Sequence, residues 1–208
     1  MPKNLAGVSV LLLALLVALE GCSPQIKPEK DCHFVQNSQL QRVAWRKSDL
    51  PLKLYVHESV KESHYSAIES AVKKWNQSLS KEIFQIVAFG TSGPAAPQKD
   101  GNTVIYSMNT WESDRQTEQA RTTIYWSNSN IYEADIRLND KNFNFAGLSD
   151  DLNFRTVDME SLVVHELGHV LGLAHITTKD SVMQVSLSSG KERRIPGTVD
   201  VTALSCEY

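Results

Sequence analysis

The chain has 208 residues, 41% of them apolar and 22% charged, with a formal net charge of −3 at neutral pH. These proportions fit one globular domain with its own core and exclude a collagen-like rod, a disordered chain and a repeat array. No basic footprint argues for a nucleic-acid partner, and three cysteines are too few for a scaffold built from disulfides.

At the N-terminus, Lys3 precedes the apolar run Leu5–Leu19. This run is shorter than the about 20 residues of a membrane-spanning helix and suits the core of a secretory signal peptide, residues 1–21. It ends in Leu19-Glu20-Gly21-Cys22, which resembles the lipobox of bacterial lipoproteins. Glu20 departs from the small or apolar residue usual there. The resemblance implies that Cys22 is acylated, becomes the mature N-terminus and anchors the protein to a membrane. The other readings are an ordinary signal peptide cut nearby or an uncleaved anchor. In each case the mature protein is expected outside the cytoplasm, as a cell-envelope lipoprotein or a secreted protein. Residues 22–47 read as a tether and N-terminal segment. With Cys22 lipidated, Cys32 and Cys206 remain as an even pair in a disulfide-permissive compartment. A bridge between them and two free buried thiols both stay open.

Pro51–Val56 alternates, with Leu52, Leu54 and Val56 on one side, and predicts a strand. Ser63–Ser80 predicts an amphipathic helix, with Tyr65, Ile68, Val72, Trp75 and Leu79 on one face. Ile83–Phe89 is apolar at nearly every position and predicts a strand buried on both faces. After a Gly- and Pro-containing loop, Thr103–Met108 is a third strand. Thr110–Gln119 carries charges of both signs and reads as solvated surface. Thr122–Trp126 and Ile131–Leu138 predict two strands joined by a hairpin turn at Ser127-Asn128-Ser129-Asn130. Lys141–Arg155 reads as irregular. Thr156 or Asp158 can cap a helix over Met159–Leu171, with Gly172 as its C-terminal stop. The expected fold is α/β (α+β): a twisted mixed sheet of about five strands, parallel crossovers with one hairpin, and helices packed on it.

The last of these helices contains His165-Glu166-Leu167-Gly168-His169. Residues four apart share a helix face, so both imidazoles point to one spot with Glu166 beside them. That is the arrangement that zinc and an activated water require. The chain continues Val170-Leu171-Gly172-Leu173-Ala174-His175. Gly172 can adopt φ > 0 and reverse the chain, returning His175 as a third ligand and leaving a fourth position open. Structural zinc sites fill all four positions, usually with cysteines; no cysteine lies near this motif, which points to a catalytic ion. His33, His57 and His64 have no such spacing and read as ordinary side chains.

His165–His175 fits HExxHxxGxxH, the long zinc signature of the metzincin metalloproteases, and Ser181-Val182-Met183 resembles the methionine turn of their matrixin branch. Trp75, Glu133-Ala134-Asp135-Ile136 and Asp200-Val201, opening a short C-terminal helix that ends at Tyr208, are also similar to matrixin domains. The resemblance covers residues 48–208. It implies an endopeptidase with one catalytic zinc on His165, His169 and His175, Glu166 as general base, and Met183 packed beneath the metal without ligating it. Protein or peptide substrates would pair with the strand near Thr122–Trp126, and the side-chain pocket would be walled by Gln184–Pro196. Lys191, Arg193 and Arg194 in that wall read as a solvated loop, with selection of acidic substrates as the other reading. The chain is expected to act as a monomer.

Departures from the matrixin pattern are also plain. No cysteine is placed for an inhibitory switch, and Thr110–Gln119 lacks the histidines of a second, structural zinc. Gln184-Val185 stands where Tyr-Pro is frequent. Nothing in the sequence decides for or against calcium. Two rival readings stay open: a zinc-binding lipoprotein without catalysis, against which the intact Glu166 speaks, and a zinc hydrolase of a cell-wall amide.

Overall fold

A computed structural model describes residues 27–208; the expected signal peptide over residues 1–21 and the expected lipidation site, Cys22, lie outside the described residues. Alternation builds β1 (Leu52–His57), which buries Leu52, Leu54 and Val56. α1 (Tyr65–Ser78) follows a short 3-10 turn and buries Ala67, Ile68, Ala71, Val72 and Trp75 along one face. It ends sooner than its apolar spacing predicts because Ser80 takes a φ of 49°, which no helix continues.

The remaining strands are β2 (Phe84–Thr91), β3 (Thr103–Met108), β4 (Ala120–Ser127) and β5 (Asn130–Asn139). They join β1 in a five-stranded sheet of order β2-β1-β3-β5-β4. All pairings are parallel except that of β4 with β5, as the single hairpin predicts. Its turn places Asn128 at a φ of 57°, a conformation asparagine tolerates. The expectation that β2 is buried on both faces fails. β2 is an edge strand, and Val87 is 47% exposed.

Residues 141–155 are not wholly irregular: β6 (Asn144–Ala146) pairs in parallel with β7 (Thr156–Asp158). α2 (Met159–Val170) leaves β7 directly, and α3 (Thr198–Leu204) closes the chain. α3 starts two residues before Asp200 because that residue sits inside the first turn, accepting the Gly197 N–H on Oδ2 at 2.8 Å. α1 and α2 pack on each other and share one core with Leu54, Ile105, Ile136 and Leu138 of the sheet.

Glu133 and Asp135 alternate with those core residues along β5, so they belong to the opposite face of the sheet; both are buried there. Gly101 N–H donates to Glu133 at 2.5 Å and Val104 N–H to Asp135 at 3.1 Å. Glu133 Oε1 and Asp135 Oδ2 have no hydrogen-bond partner among the described residues. Burial pushes the Asp135 carboxyl up to about 7, and neighbouring Glu133 and Asp100 add to the rise.

The folded body starts well before residue 48. Phe34, Val43, Ala44 and Trp45 are buried in the core, and Cys32 is bridged to Cys206, with Cα atoms 6.5 Å apart. This segment has too little periodicity to read as an element, because its pairing consists of isolated bridges such as Phe34 with Leu173. The loop 110–119 is also more than solvated surface. Trp111 is buried, its indole N–H donates to Arg115 O at 3.0 Å, and the Arg137 guanidinium stacks 4.9 Å from its ring centre.

Candidate active site

α2 carries the site, and its ends are held tightly. Of the two caps expected, Asp158 serves: its Oδ2 accepts the Ser161 N–H at 2.9 Å. Arg194 returns to grip the same carboxylate at 2.5 Å and Glu160 at 3.0 Å. Burial alone would raise Asp158, but the Arg194 and Ser161 donors hold it below the usual carboxylate range. Arg194 is therefore a structural ion-pair partner and not a free loop cation.

The last carbonyls of a helix lack intrahelical partners. Here residues from both ends of the chain supply them. Trp45 Nε1–H donates to Val170 O at 2.7 Å, and the Tyr208 hydroxyl donates to Leu171 O at 2.8 Å. Midway along α2, Trp75 Nε1–H donates to Val164 O at 2.8 Å, one residue before His165. So Trp75 both fills the core and fixes the rotation of the helix.

Gly172 has a φ of 94°, in the left-handed region its sequence position predicts, and a Cβ there would stand 2.3 Å from Val43 O. The reversal is clamped by the N-terminal segment: Val35 N–H donates to Gly172 O at 2.9 Å and Ala174 N–H to His33 O at 2.7 Å. The chain then delivers His175 opposite α2.

His165, His169 and His175 converge as the spacing predicts. Their candidate ligand atoms all lie within 4.8 Å of one another. Nε2 of His169 is 3.1 Å from Nε2 of His165 and 3.3 Å from Nε2 of His175. Tetrahedral ligands at zinc–nitrogen distances of about 2.0–2.1 Å stand roughly 3.3 Å apart, so the cluster fits zinc. The outer nitrogens agree with this. His165 Nδ1 faces Val182 O at 2.8 Å and His169 Nδ1 faces Leu173 O at 2.7 Å. A carbonyl only accepts, so Nδ1 carries the proton and Nε2 presents its lone pair inward. Burial pushes both imidazoles down to about 4 and also lowers His175, which keeps all of them neutral, the state a ligand needs.

Glu166 is buried beside them, and burial raises its carboxyl above the ordinary range. Thr122 on β4 donates its hydroxyl to Glu166 Oε2 at 2.6 Å. Sequence reasoning missed this contact, since β4 and α2 are distant in the chain and Thr122 carries no local signal.

Met183 is fully buried, with its sulfur packed against Gly168 of α2. Its turn hangs on Asp200, which accepts the Ser181 hydroxyl at 2.5 Å and the Val182 N–H at 3.0 Å. Ser181 Oγ in turn accepts the Met183 N–H at 2.9 Å.

His165, Glu166 and His169 open onto a cleft of about 650 Å³. One wall is β4, including Ala120, Arg121, Thr122 and Ile124; the other comprises Gln184–Leu187 and Arg193. Loop 110–119 contributes Arg115, Thr117, Glu118 and Gln119 to the rim. β4 pairs with β5 on one side, and its other edge, unpaired in the sheet among the described residues, borders the cleft; such an edge can pair with an extended chain.

Comparison with known proteins agrees with this geometry. Metalloendoproteinase 2-MMP of Arabidopsis thaliana is 46% identical over 37 residues, covering 18% of this chain and 10% of that protein. Metalloendoproteinase 4-MMP of the same plant is 40% identical over 52 residues, 25% of this chain and 15% of that protein. The shared stretches thus span only a small part of those relatives. The family match is far longer, reaching from residue 44 to 206 and taking in the whole sheet, the histidine cluster and the methionine turn. On that extent of agreement the chain belongs to the matrixin family, a family of zinc metalloendopeptidases.

Proposed function

We propose that this chain is a zinc-dependent endopeptidase in which His165, His169 and His175 hold the metal through Nε2 and Glu166 is the general base. The observation that supports it best is the convergence of inward-facing Nε2 lone pairs beside a buried carboxylate, at the floor of a cleft bordered by a free strand edge. Zinc bound there supplies Lewis acidity, polarising the scissile carbonyl and lowering the pKa of a water molecule. Glu166 accepts a proton from the attacking water and returns it to the leaving amine nitrogen. The hydroxyl thus joins the carbonyl carbon as the C–N bond breaks. Thr122 orients the Glu166 carboxylate for both transfers. The main chain of β4 holds the substrate extended across the site. Met183 gives the histidines an apolar floor.

The location is part of the same proposal. A cleaved signal peptide over residues 1–21 and a lipid on Cys22 would place a monomeric catalytic domain outside the cytoplasm on a short tether. Mass spectrometry of the mature N-terminal peptide tests this. An unmodified Cys22 would remove the anchor, and the domain's chemistry would stand without it.

The deciding experiment is Glu166→Gln. The variant keeps the shape of the side chain and removes the base. We expect zinc content near one equivalent, an unchanged fold, and peptide cleavage reduced by about 10²–10⁴-fold. Loss of zinc in this variant would make Glu166 a ligand. Full activity would assign the hydrolysis to other chemistry. A panel of unfolded protein and cell-wall substrates, with and without chelator, separates a peptidase from a cell-wall amide hydrolase.

A further inference from the structure

This inference rests on the peptidase reading and concerns which substrates the cleft selects. Most of the cations around the site are already paired. Arg115 and Arg121 share Glu118 at 3.1 and 2.6 Å, and Arg194 is held by Asp158 and Glu160. Arg193 is different. Its backbone N–H donates to Ser161 Oγ at 2.6 Å, and Ser161 stands one helical turn before His165 on the same face of α2. Its Nη2 donates to Ser186 O at 2.9 Å. Both contacts fix the residue in the cleft wall beside His165.

Among the described residues no carboxylate pairs with Arg193. Asp200 is the acid whose charge reaches it, but both Asp200 oxygens are already taken by the methionine turn and Gly197. Burial lowers the guanidinium somewhat, yet arginine stays charged at neutral pH. A half-buried cation with unused planar donors, next to the reacting centre, lacks an anion. A carboxylate is the partner whose geometry matches that fork.

We propose that Arg193 is a specificity-determining residue that selects substrates carrying an acidic side chain, Asp or Glu, adjacent to the scissile bond. A free C-terminal carboxylate offers the same chemistry. Arg193 lines the same cleft as the edge strand β4; an extended chain paired with such an edge continues in both directions, which favours the side chain as the source.

The test uses zinc-loaded Glu166→Gln protein, so that binding is read without turnover. The ligands are C-terminally amidated peptides that differ only by Glu or Gln immediately before or immediately after the intended scissile bond. A further peptide has neutral side chains and ends there in a free carboxylate. We expect the Glu peptide to bind about tenfold more tightly than its Gln twin at one of the two positions, as one charge-assisted contact predicts. Adding Arg193→Gln should bring that ratio close to one, and adding Arg193→Glu should shift the preference to a Lys peptide. Each ratio is taken within one protein, so a general change in affinity cancels. Equal binding of Glu and Gln peptides at both positions, or a ratio that survives Arg193→Gln, would overturn the proposal. Preference for the free C-terminus over both amidated Glu peptides would overturn the side-chain assignment. Chelator-sensitive cleavage of any of the Glu and Gln peptides by the unsubstituted protein is scored separately. Its absence would reject the peptidase reading while the binding ratios still decide the role of Arg193.

Discussion

The sulfur of Met183 occupies the space that a side chain on Gly168 would need: a Cβ there would lie 2.2 Å from it, and 3.3 Å from the Trp75 ring. Gly168 lies between the two helical histidines, so close approach, not a special φ, requires glycine here. The methionine turn is packed directly onto the turn of α2 that carries His165 and His169.

Gly168→Ala should therefore push Met183 and its turn away from α2. Overpacking of this kind costs about 1–3 kcal/mol. We expect a lower Tm and weaker zinc retention, read by thermal denaturation and by metal content after dialysis against a mild chelator. Met183→Leu conserves volume and should keep most of the zinc and much of the activity, since no ligand is lost. Complete loss of zinc in Met183→Leu would mean that the thioether does more than pack.

Thr122→Val removes the hydroxyl that holds Glu166 at 2.6 Å and keeps the shape of the β-branched side chain. His165, His169 and His175 are untouched, so zinc content should be unchanged. On the proposed mechanism Glu166 loses its fixed orientation, and kcat should fall about tenfold with little change in KM, in line with loss of one hydrogen bond to a charged group. Thr122→Ser restores the hydroxyl and should restore most of the rate. Steady-state kinetics on all three proteins distinguishes lost positioning from lost packing.

Asp135 makes stability depend on pH. Its folded value, about 7, lies above the ordinary 3.8, so the fold prefers the protonated acid. The contribution is fully present below 3.8 and is lost as pH rises toward 7, at up to about 1.4 kcal/mol per pH unit for one proton. Asp135→Asn keeps an acceptor for Val104 N–H and removes the titration. Denaturant unfolding at pH 5 and pH 7 should show the variant gaining on the unsubstituted protein at the higher pH. Parallel curves would mean that Asp135 is ionised throughout.

Cys206→Ser opens a link that spans 174 residues of sequence. Loss of such a constraint typically costs about 2–5 kcal/mol. The bridge also holds the segment whose residues His33 and Val35 clamp the turn before His175. We expect lower denaturant midpoints together with faster zinc release. A stability loss with unchanged zinc release would confine the bridge to a role in folding.

The convergence of His165, His169 and His175 was legible because its geometry is local: an i, i+4 pair on one helix and a glycine-made reversal need no knowledge of the rest of the chain. Gly172 and the hairpin at Asn128 were legible for the same reason. What escaped was built from distant partners. Thr122 reaches Glu166 across 44 positions, and the packing of Phe34 and Trp45 depends on surfaces that exist only once α2 has formed. β2 was misjudged because an apolar run reports hydrophobicity but not sheet order, and an edge strand can bury its side chains against α1 while leaving Val87 in solvent. Arg194 looked like its neighbour Arg193 in sequence; only the folded partners Asp158 and Glu160 separate a staple from a free cation.

The Cys32–Cys206 bond turns nearly the whole described chain into a covalent ring. If the proposed peptidase activity holds, the protein is exposed to cuts by its own kind, and the loop between β2 and β3, exposed at Gly93, Pro94 and Ala95, is an open target. A single cut there breaks the ring without releasing a fragment. The two pieces stay joined by the sulfur bond, and β1 still pairs with β2 on one side of the gap and β3 on the other. Such a nicked molecule would run as one species on a non-reducing gel and as two after reduction, with its histidine cluster carried whole on the C-terminal piece.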